Sequence, residues 1–418
     1  MKTKVLVTLL VGLIVRLELA SFAGHPGDLA LFAFSSRLYF ESGQFDYLFP
    51  SLPLVYYVQL AFYSFYVLIR DAGFSDPTFL FHTNYMIEGI FFRIPLIISD
   101  VGIFALILKF TGRLRYAALY LLNPLIIYLT GAWGIYDSLM LFPLVAGFVL
   151  YARNERRLAS VSFVISGLFK LFGFVPFSLM ALETLLQRRW KEFGFQIGSA
   201  IGLIALTFAP YVGNGLQDFY VGILLRFLGL SGALTRGYDI VAIFSGARFA
   251  GSSPFIYLGL GAIAISFVLH LRRSRSPLQA LLLWSIVGAV ALNILTQSEP
   301  QWLSWPIPMS ILYAYLTKRE GLAHYTYFYG IAGTFLSITI LQSIGYLLLG
   351  TPMVFFQAIE TFQARVAVYS VSIATMLLVL LGYLFLKPVK FKVEVIALVA
   401  LVYLQAYFWL SIMRILPV

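Results

Sequence analysis

Residues Tyr116–Arg157 read YAALYLLNPLIIYLTGAWGIYDSLMLFPLVAGFVLYARNERR, and this stretch decides the fold class. From Tyr116 to Ala152 its single charged side chain is Asp137, and the cluster Arg153, Arg156 and Arg157 closes it. Two apolar runs, 116–131 and 137–152, are read as membrane-crossing helices joined by the tight turn Trp133–Asp137. Asn123-Pro124 lies inside the first of them.

Working outward, the same alternation recurs along the chain. Basic clusters stand at Lys2/Lys4, Lys109/Arg113/Arg115, Arg153/Arg156/Arg157, Arg188/Arg189/Lys191, Arg272/Arg273/Arg275, Lys318/Arg319 and Lys387/Lys390/Lys392. They hold most of the 29 Lys and Arg residues. Placing every cluster on the cytoplasmic side satisfies the positive-inside tendency throughout. Spans then fall near 4–22, 92–109, 116–131, 137–152, 158–172, 173–187, 193–211, 254–271, 277–295, 302–317, 325–349, 366–386 and 394–413. The expectation is an all-α polytopic membrane protein of about 13 crossings, N-terminus inside and C-terminus outside.

Composition agrees. The 418 residues are 61% hydrophobic and 11% charged, with mean hydropathy +0.90. Soluble domains average about 45–50% apolar and about 25% charged residues. The net charge of +11 is assigned to loops facing anionic lipid, not to nucleic acid. Cysteine is absent, which excludes thiol catalysis and cysteine-ligated metal centres. His25, His82, His270 and His324 are scattered without metal-ligand spacing, so no metal or other cofactor is expected. The basic, apolar N-terminus resembles a signal peptide, but Arg16 and Glu18 interrupt it and no small-residue cleavage site follows. It is read as a retained first span.

The acidic residues prefer the other side: Asp28, Glu41, Asp46, Asp71, Asp76, Glu88, Asp137, Asp218, Asp239, Glu299 and Glu360. The first external segment, 23–91, includes Pro53–Ile69, long enough to cross. A single crossing there would turn every later cluster outward, so an interfacial or shallow helix is expected. Segments 158–172 and 173–187 are each about 22 Å long as helix, against roughly 30 Å of hydrocarbon. They are read as a hairpin turning inside the membrane near Lys170–Gly173.

Candidate residues gather toward the outer face. Asp28 follows a Pro-Gly turn and serves either as an N-terminal helix cap or as a general base; Asp46 has the same two readings. Asp137, with Trp133 and Tyr136 beside it, caps its helix or meets a ligand. Lys170 snorkels or binds an anion, since an unpaired lysine at a span centre costs about 2.5–3.5 kcal/mol. Trp302 and Trp305 share one helix face near Glu299 and Gln301, as an aromatic belt or as a binding surface. Arg16 and Arg93 form ion pairs with Asp28, Glu88 or Asp100, or reach a ligand. A transporter or flippase of a lipid-linked sugar is the rival reading, but no two related halves are apparent.

These motifs together resemble the GT-C glycosyltransferases, with PIG-M-like mannosyltransferases and their prokaryotic relatives as the nearest subgroup. The resemblance rests on HPGD (25–28) followed by ESGQFDY (41–47) and Leu52-Pro53, on Asn123-Pro124 with GIYDS (134–138), on Lys170 ahead of Pro176, and on QWLSWP (301–306). It covers roughly residues 1–310, leaving 311–418 as additional helices. The chain departs from the pattern in having Ser304-Trp305-Pro306 in place of an aromatic pair, and one acid in place of two.

The resemblance implies a GT-C-like bundle and an inverting transfer of a sugar, mannose first, from a polyprenyl- or dolichyl-phosphate donor. The acceptor is a glycan, lipid or protein outside a prokaryotic cell membrane. Asp28 is then the catalytic base, Lys170, Arg93 and Arg236 bind the donor phosphate, and Asp137, Trp133, Tyr136, Glu299, Gln301 and Trp302 meet the acceptor or sugar. The topology has a direct test in this cysteine-free chain. Gly43→Cys should react with an impermeant thiol reagent in intact cells and Ser274→Cys should not; the reverse pattern means that Pro53–Ile69 crosses.

Overall fold

The computed structural model describes residues 2–24, 26–44, 52–73, 86–211, 254–273, 276–295, 300–341 and 376–385. Within them the chain is all-helical, with no strand. The helices are α1 (Lys2–Phe22), α2 (Pro26–Ser42), α3 (Pro53–Asp71), α4 (Met86–Thr111), α5 (Leu114–Leu121), α6 (Pro124–Ile127), α7 (Asp137–Ala152), α8 (Arg156–Phe169) and α9 (Phe174–Leu186). They continue as α10 (Trp190–Phe208), α11 (Pro254–Arg273), α12 (Pro277–Leu295), α13 (Pro306–Thr317), α14 (Glu320–Leu341) and α15 (Met376–Phe385). The expected span 394–413 lies outside the described residues.

Helix ends follow local chemistry. Pro opens α2, α3, α6, α11, α12 and α13, where its missing N–H costs nothing. Asn123 caps α6, its Oδ1 accepting from the Leu125 amide at 3.1 Å. The Asn123-Pro124 break bends α5 against the following turn by 46°. Among the described residues, Ile87–Thr111 is long and apolar enough to cross a membrane alone, and the bent pair Leu114–Leu121 with Pro124–Trp133 makes a second if joined.

The core is apolar, but large apolar side chains also cover part of the outside, and some charged groups are fully enclosed. On α1, Leu6, Val7, Leu10, Val11, Ile14 and Leu17 are exposed, and Leu206, Leu258 and Ile265 are exposed elsewhere. Arg16 and Asp100 meanwhile are both 0% exposed. Arg16 donates from Nε to Asp100 Oδ2 at 2.9 Å and to Thr130 Oγ1 at 3.1 Å. Asp100 Oδ1 accepts from Tyr120 Oη at 2.8 Å and Ser138 Oγ at 2.7 Å. One carboxylate therefore ties α1, α4, α5 and α7 together. Of the pairings open to Arg16 from the sequence, this is the one formed.

The short hairpin is present. α8 ends at Lys170, whose extended backbone (φ −156°, ψ 132°) breaks the helix. A 3₁₀ turn, Leu171–Gly173, leads into α9. At the far end Arg156, opening α8, meets Glu183, near the end of α9, at 3.0 Å, so the two helices run antiparallel. Tyr151 Oη and Gln187 Nε2 also donate to the Glu183 carboxylate. Gly173 is required at the turn, because a Cβ there would stand 2.2 Å from the Gly167 amide nitrogen.

α3 is helical over its whole length and packs Val55, Tyr56, Gln59, Tyr63 and Tyr66 inward, α4 being its main neighbour. α4 begins earlier than the expected span because Glu88 is fully buried, holding Arg37 at 3.0 Å and Tyr63 at 2.7 Å. Arg319 donates to the Tyr383 and Leu384 carbonyls at 2.6 and 2.9 Å, fixing the C-terminal turn of α15.

Gly173→Ala should lower the thermal midpoint of the purified protein sharply. Gly202→Ala, on an open face of α10, should hold or raise it, since glycine within a helix costs about 0.5–1 kcal/mol against alanine. Equal behaviour of the two variants would contradict the close packing of the hairpin turn.

Candidate functional site

The site forms where the turn before α7, the start of α2, the hairpin tip and the start of α13 meet. Residues Tyr128–Trp133 make a π-helical turn, a rare wide form frequent at functional sites. Gly131 permits it, since a Cβ there would stand 3.2 Å from Arg16 Cα. Gly134 ends it in the left-handed region at φ +86°, its amide donating to Leu129 O at 2.9 Å. The turn delivers the Trp133 indole, whose Nε1 donates to Asp28 Oδ2 at 2.6 Å.

Asp28 stands in the first turn of α2, half-buried. Phe32, one helical turn on, meets Tyr136 at 6.0 Å between ring centroids. Lys170 Nζ lies 5.2 Å from the Tyr136 ring centroid and 5.4 Å from that of Trp305. Asp28, Trp133, Tyr136 and Lys170 are thus linked through one wall of side chains.

Lys170 does not lack a protein counter-ion. Its Nζ donates to both Asp137 oxygens at 2.9 Å. The partner is 33 residues away in the chain and comes from the neighbouring helix, α7. Asp137, 1% exposed, is correspondingly turned inward. It neither caps α7, whose N-cap is Tyr136, nor faces the exterior. Its Oδ1 also accepts from Trp305 Nε1. Trp305 is sandwiched between Phe172 and Trp302, each with a centroid distance of 4.9 Å and an interplanar angle of 20°. The three-residue spacing of the tryptophans stacks them because Pro300–Ser304 is a 3₁₀ turn, in which i and i+3 eclipse.

Arg93 also differs from its expected role. It is 1% exposed, and its Nη1 and Nη2 donate to backbone, reaching Gly89 O at 3.0 Å, Ala132 O at 3.2 Å, Ala20 O at 3.5 Å and Ala23 O, while its Nε has no partner among the described residues. It clamps the end of α1 to the turn carrying Trp133 and does not stand open to a phosphate. Gln301 is buried, and Trp302 is half-buried with its Nε1 lacking a partner among the described residues. Arg236, Glu299 and Asp46 lie outside the described residues. Sequence reasoning reached Trp305 through its spacing from Trp302 but missed Phe172 as a member of the site, which nothing short of the fold signalled.

No group of His, Cys, Asp and Glu suited to a metal ion occurs among the described residues. A separate cleft of about 360 Å³ runs along α5, between Arg115, Tyr116 and Leu119 and α14 residues Glu320, His324 and Tyr327. The hydrogen bond from Arg115 lowers the exposed Glu320 carboxyl below its ordinary value. This cleft holds none of the candidate residues. Set against known proteins, the chain matches no family model and no curated protein.

Lys170→Met leaves the buried Asp137 carboxylate without its cation and should destabilise the fold by about 3–5 kcal/mol. The double variant Lys170→Met/Asp137→Asn should lose clearly less than the sum of the single changes. Additive losses in thermal or denaturant unfolding would show that the two side chains do not act as a pair.

Proposed function

We propose that the chain is a multi-pass membrane enzyme of GT-C type that transfers a sugar from a polyprenyl-phosphate donor to an acceptor hydroxyl, with Asp28 as the base. The observation that carries this reading is the half-buried Asp28 carboxylate, oriented by the Trp133 indole at 2.6 Å. Its position on the first helix after α1 is where the family resemblance expects the essential acid. The membrane reading is supported by the apolar side chains exposed along α1 and by the fully enclosed Arg16–Asp100 pair, a distribution that a hydrocarbon solvent favours.

The chemistry is a single displacement. The acceptor oxygen attacks the anomeric carbon and gives its proton to Asp28. The bond between that carbon and the phosphate oxygen breaks, and the polyprenyl phosphate leaves with the electron pair. The transition state has oxocarbenium character, and the anomeric configuration inverts. The half-buried Trp302, stacked on Trp305, adds an aromatic side chain to the wall of the site against which a sugar ring could pack. Lys170 can serve the phosphate only by leaving Asp137, so in this reading it positions Asp137 and Trp305 at rest and turns to the donor on binding.

Asp28→Asn retains the shape and removes the base. Purified variant and wild type, given radiolabelled polyprenyl-phosphate mannose or glucose with lipid and peptide acceptors, should differ in turnover by about 10²–10⁴. Transfer at the wild-type rate by the Asn variant would rule out Asp28 as the base. No transfer by the wild type from either donor would point to the transport of a lipid-linked sugar.

A further inference from the structure

Two carboxylates carry the proposed site, and a third, Asp100, stands behind them. The segment Trp133–Asp137 holds both site elements, the indole on Asp28 and the carboxylate on Lys170. Just outside each end of this segment is a hydroxyl bound to the same buried ion pair. Thr130 Oγ1 accepts from Arg16 Nε at 3.1 Å, three residues before Trp133. Ser138 Oγ donates to Asp100 Oδ1 at 2.7 Å, one residue after Asp137. Gly131 lies against the Arg16 backbone, so the π-helical turn has little room to slide along α1. Neither Arg16 nor Asp100 has any exposed side-chain surface.

We infer that Asp100, paired with Arg16, is a positioning residue of the site, pinning the Trp133–Asp137 segment at both ends and so setting where Asp28 and Asp137 stand. Tyr120 supplies the internal comparison. Its hydroxyl binds the same Asp100 oxygen at 2.8 Å, but it comes from α5 and lies outside the pinned segment. A merely structural network would respond alike to losing the Tyr120 or the Ser138 hydrogen bond. A positioning network responds at the site only to the loss of Ser138 or Thr130.

The kinetic part of this inference rests on the proposed transfer reaction, so its test has a spectroscopic arm that needs no activity. The full chain is labelled with 5-fluorotryptophan, and its six tryptophan resonances are followed by ¹⁹F NMR in detergent. Trp133→Phe and Trp305→Phe spectra assign the two site resonances, and the exposed Trp190 serves as reference. Ser138→Ala and Thr130→Val should move the Trp133 and Trp305 resonances, and Ser138→Thr should restore them. Tyr120→Phe should lower the thermal midpoint and leave both resonances in place. In the transfer assay Ser138→Ala should lower kcat about tenfold with KM little changed, as a misplaced catalytic constellation does. Site resonances unmoved by Ser138→Ala, or moved as much by Tyr120→Phe, would overturn the inference. Absence of transfer in the wild type would remove the proposed reaction and leave the resonance arm to decide the positioning role.

Discussion

The Arg16–Asp100 pair is the constraint from which the rest of the arrangement follows. A buried carboxylate without a cation, or the reverse, is strongly destabilising, so these two side chains must meet wherever their helices lie. Their meeting fixes the separation of α1 and α4, and the Asp100 oxygens then collect Tyr120 and Ser138 from α5 and α7. The same requirement recurs at Glu88 with Arg37, at Glu183 with Arg156 and at Asp137 with Lys170. Apolar contact fills the space between these points but is indifferent to small rotations of a helix about its axis. The ion pairs are not, because a rotation of one residue would leave both charges without a partner.

Much of the helical layout is legible in the sequence, for a plain reason. Segments 137–152 and 277–295 are bounded by a Gly-rich turn or a proline on one side and by polar residues on the other, and the helices begin and end there. The hairpin turn was signalled by Lys170 and Gly173 lying between two apolar runs too short to cross. Hydropathy misplaced the start of α4, because it treats Glu88 as a solvent-facing charge and has no means of knowing that Arg37 and Tyr63 bury it. The break at Asn123-Pro124 was visible as a proline within a span; the π-helical turn after it was not, since no residue type marks it.

The candidate site was legible as a set of residues and not as a set of bonds. Asp28, Trp133, Tyr136, Asp137, Lys170 and Trp302 come from four parts of the chain and are brought into one cluster. Which group holds which was beyond reach, because Lys170 and Asp137 are 33 residues apart and Trp133 and Asp28 are 105 apart. Arg93 was open to an ion pair with Asp28, Glu88 or Asp100, or to a ligand. Its two terminal nitrogens instead donate to backbone carbonyls, which a sequence does not advertise as partners.

The π-helical turn gives the chain's length a meaning of its own. A π turn accommodates one residue more than an α turn over the same rise, so Tyr128–Trp133 is equivalent to an α-helix carrying one inserted residue. Deleting any one of residues 128–132 would let the helix relax and would rotate everything after it by about 100°. Trp133 would then leave Asp28, even though every side chain of the site was still present. The register of the site is therefore an insertion held in place by Gly131 and Gly134. In a related chain, whether that residue is present or missing would say more about an intact site than whether the acids themselves are there.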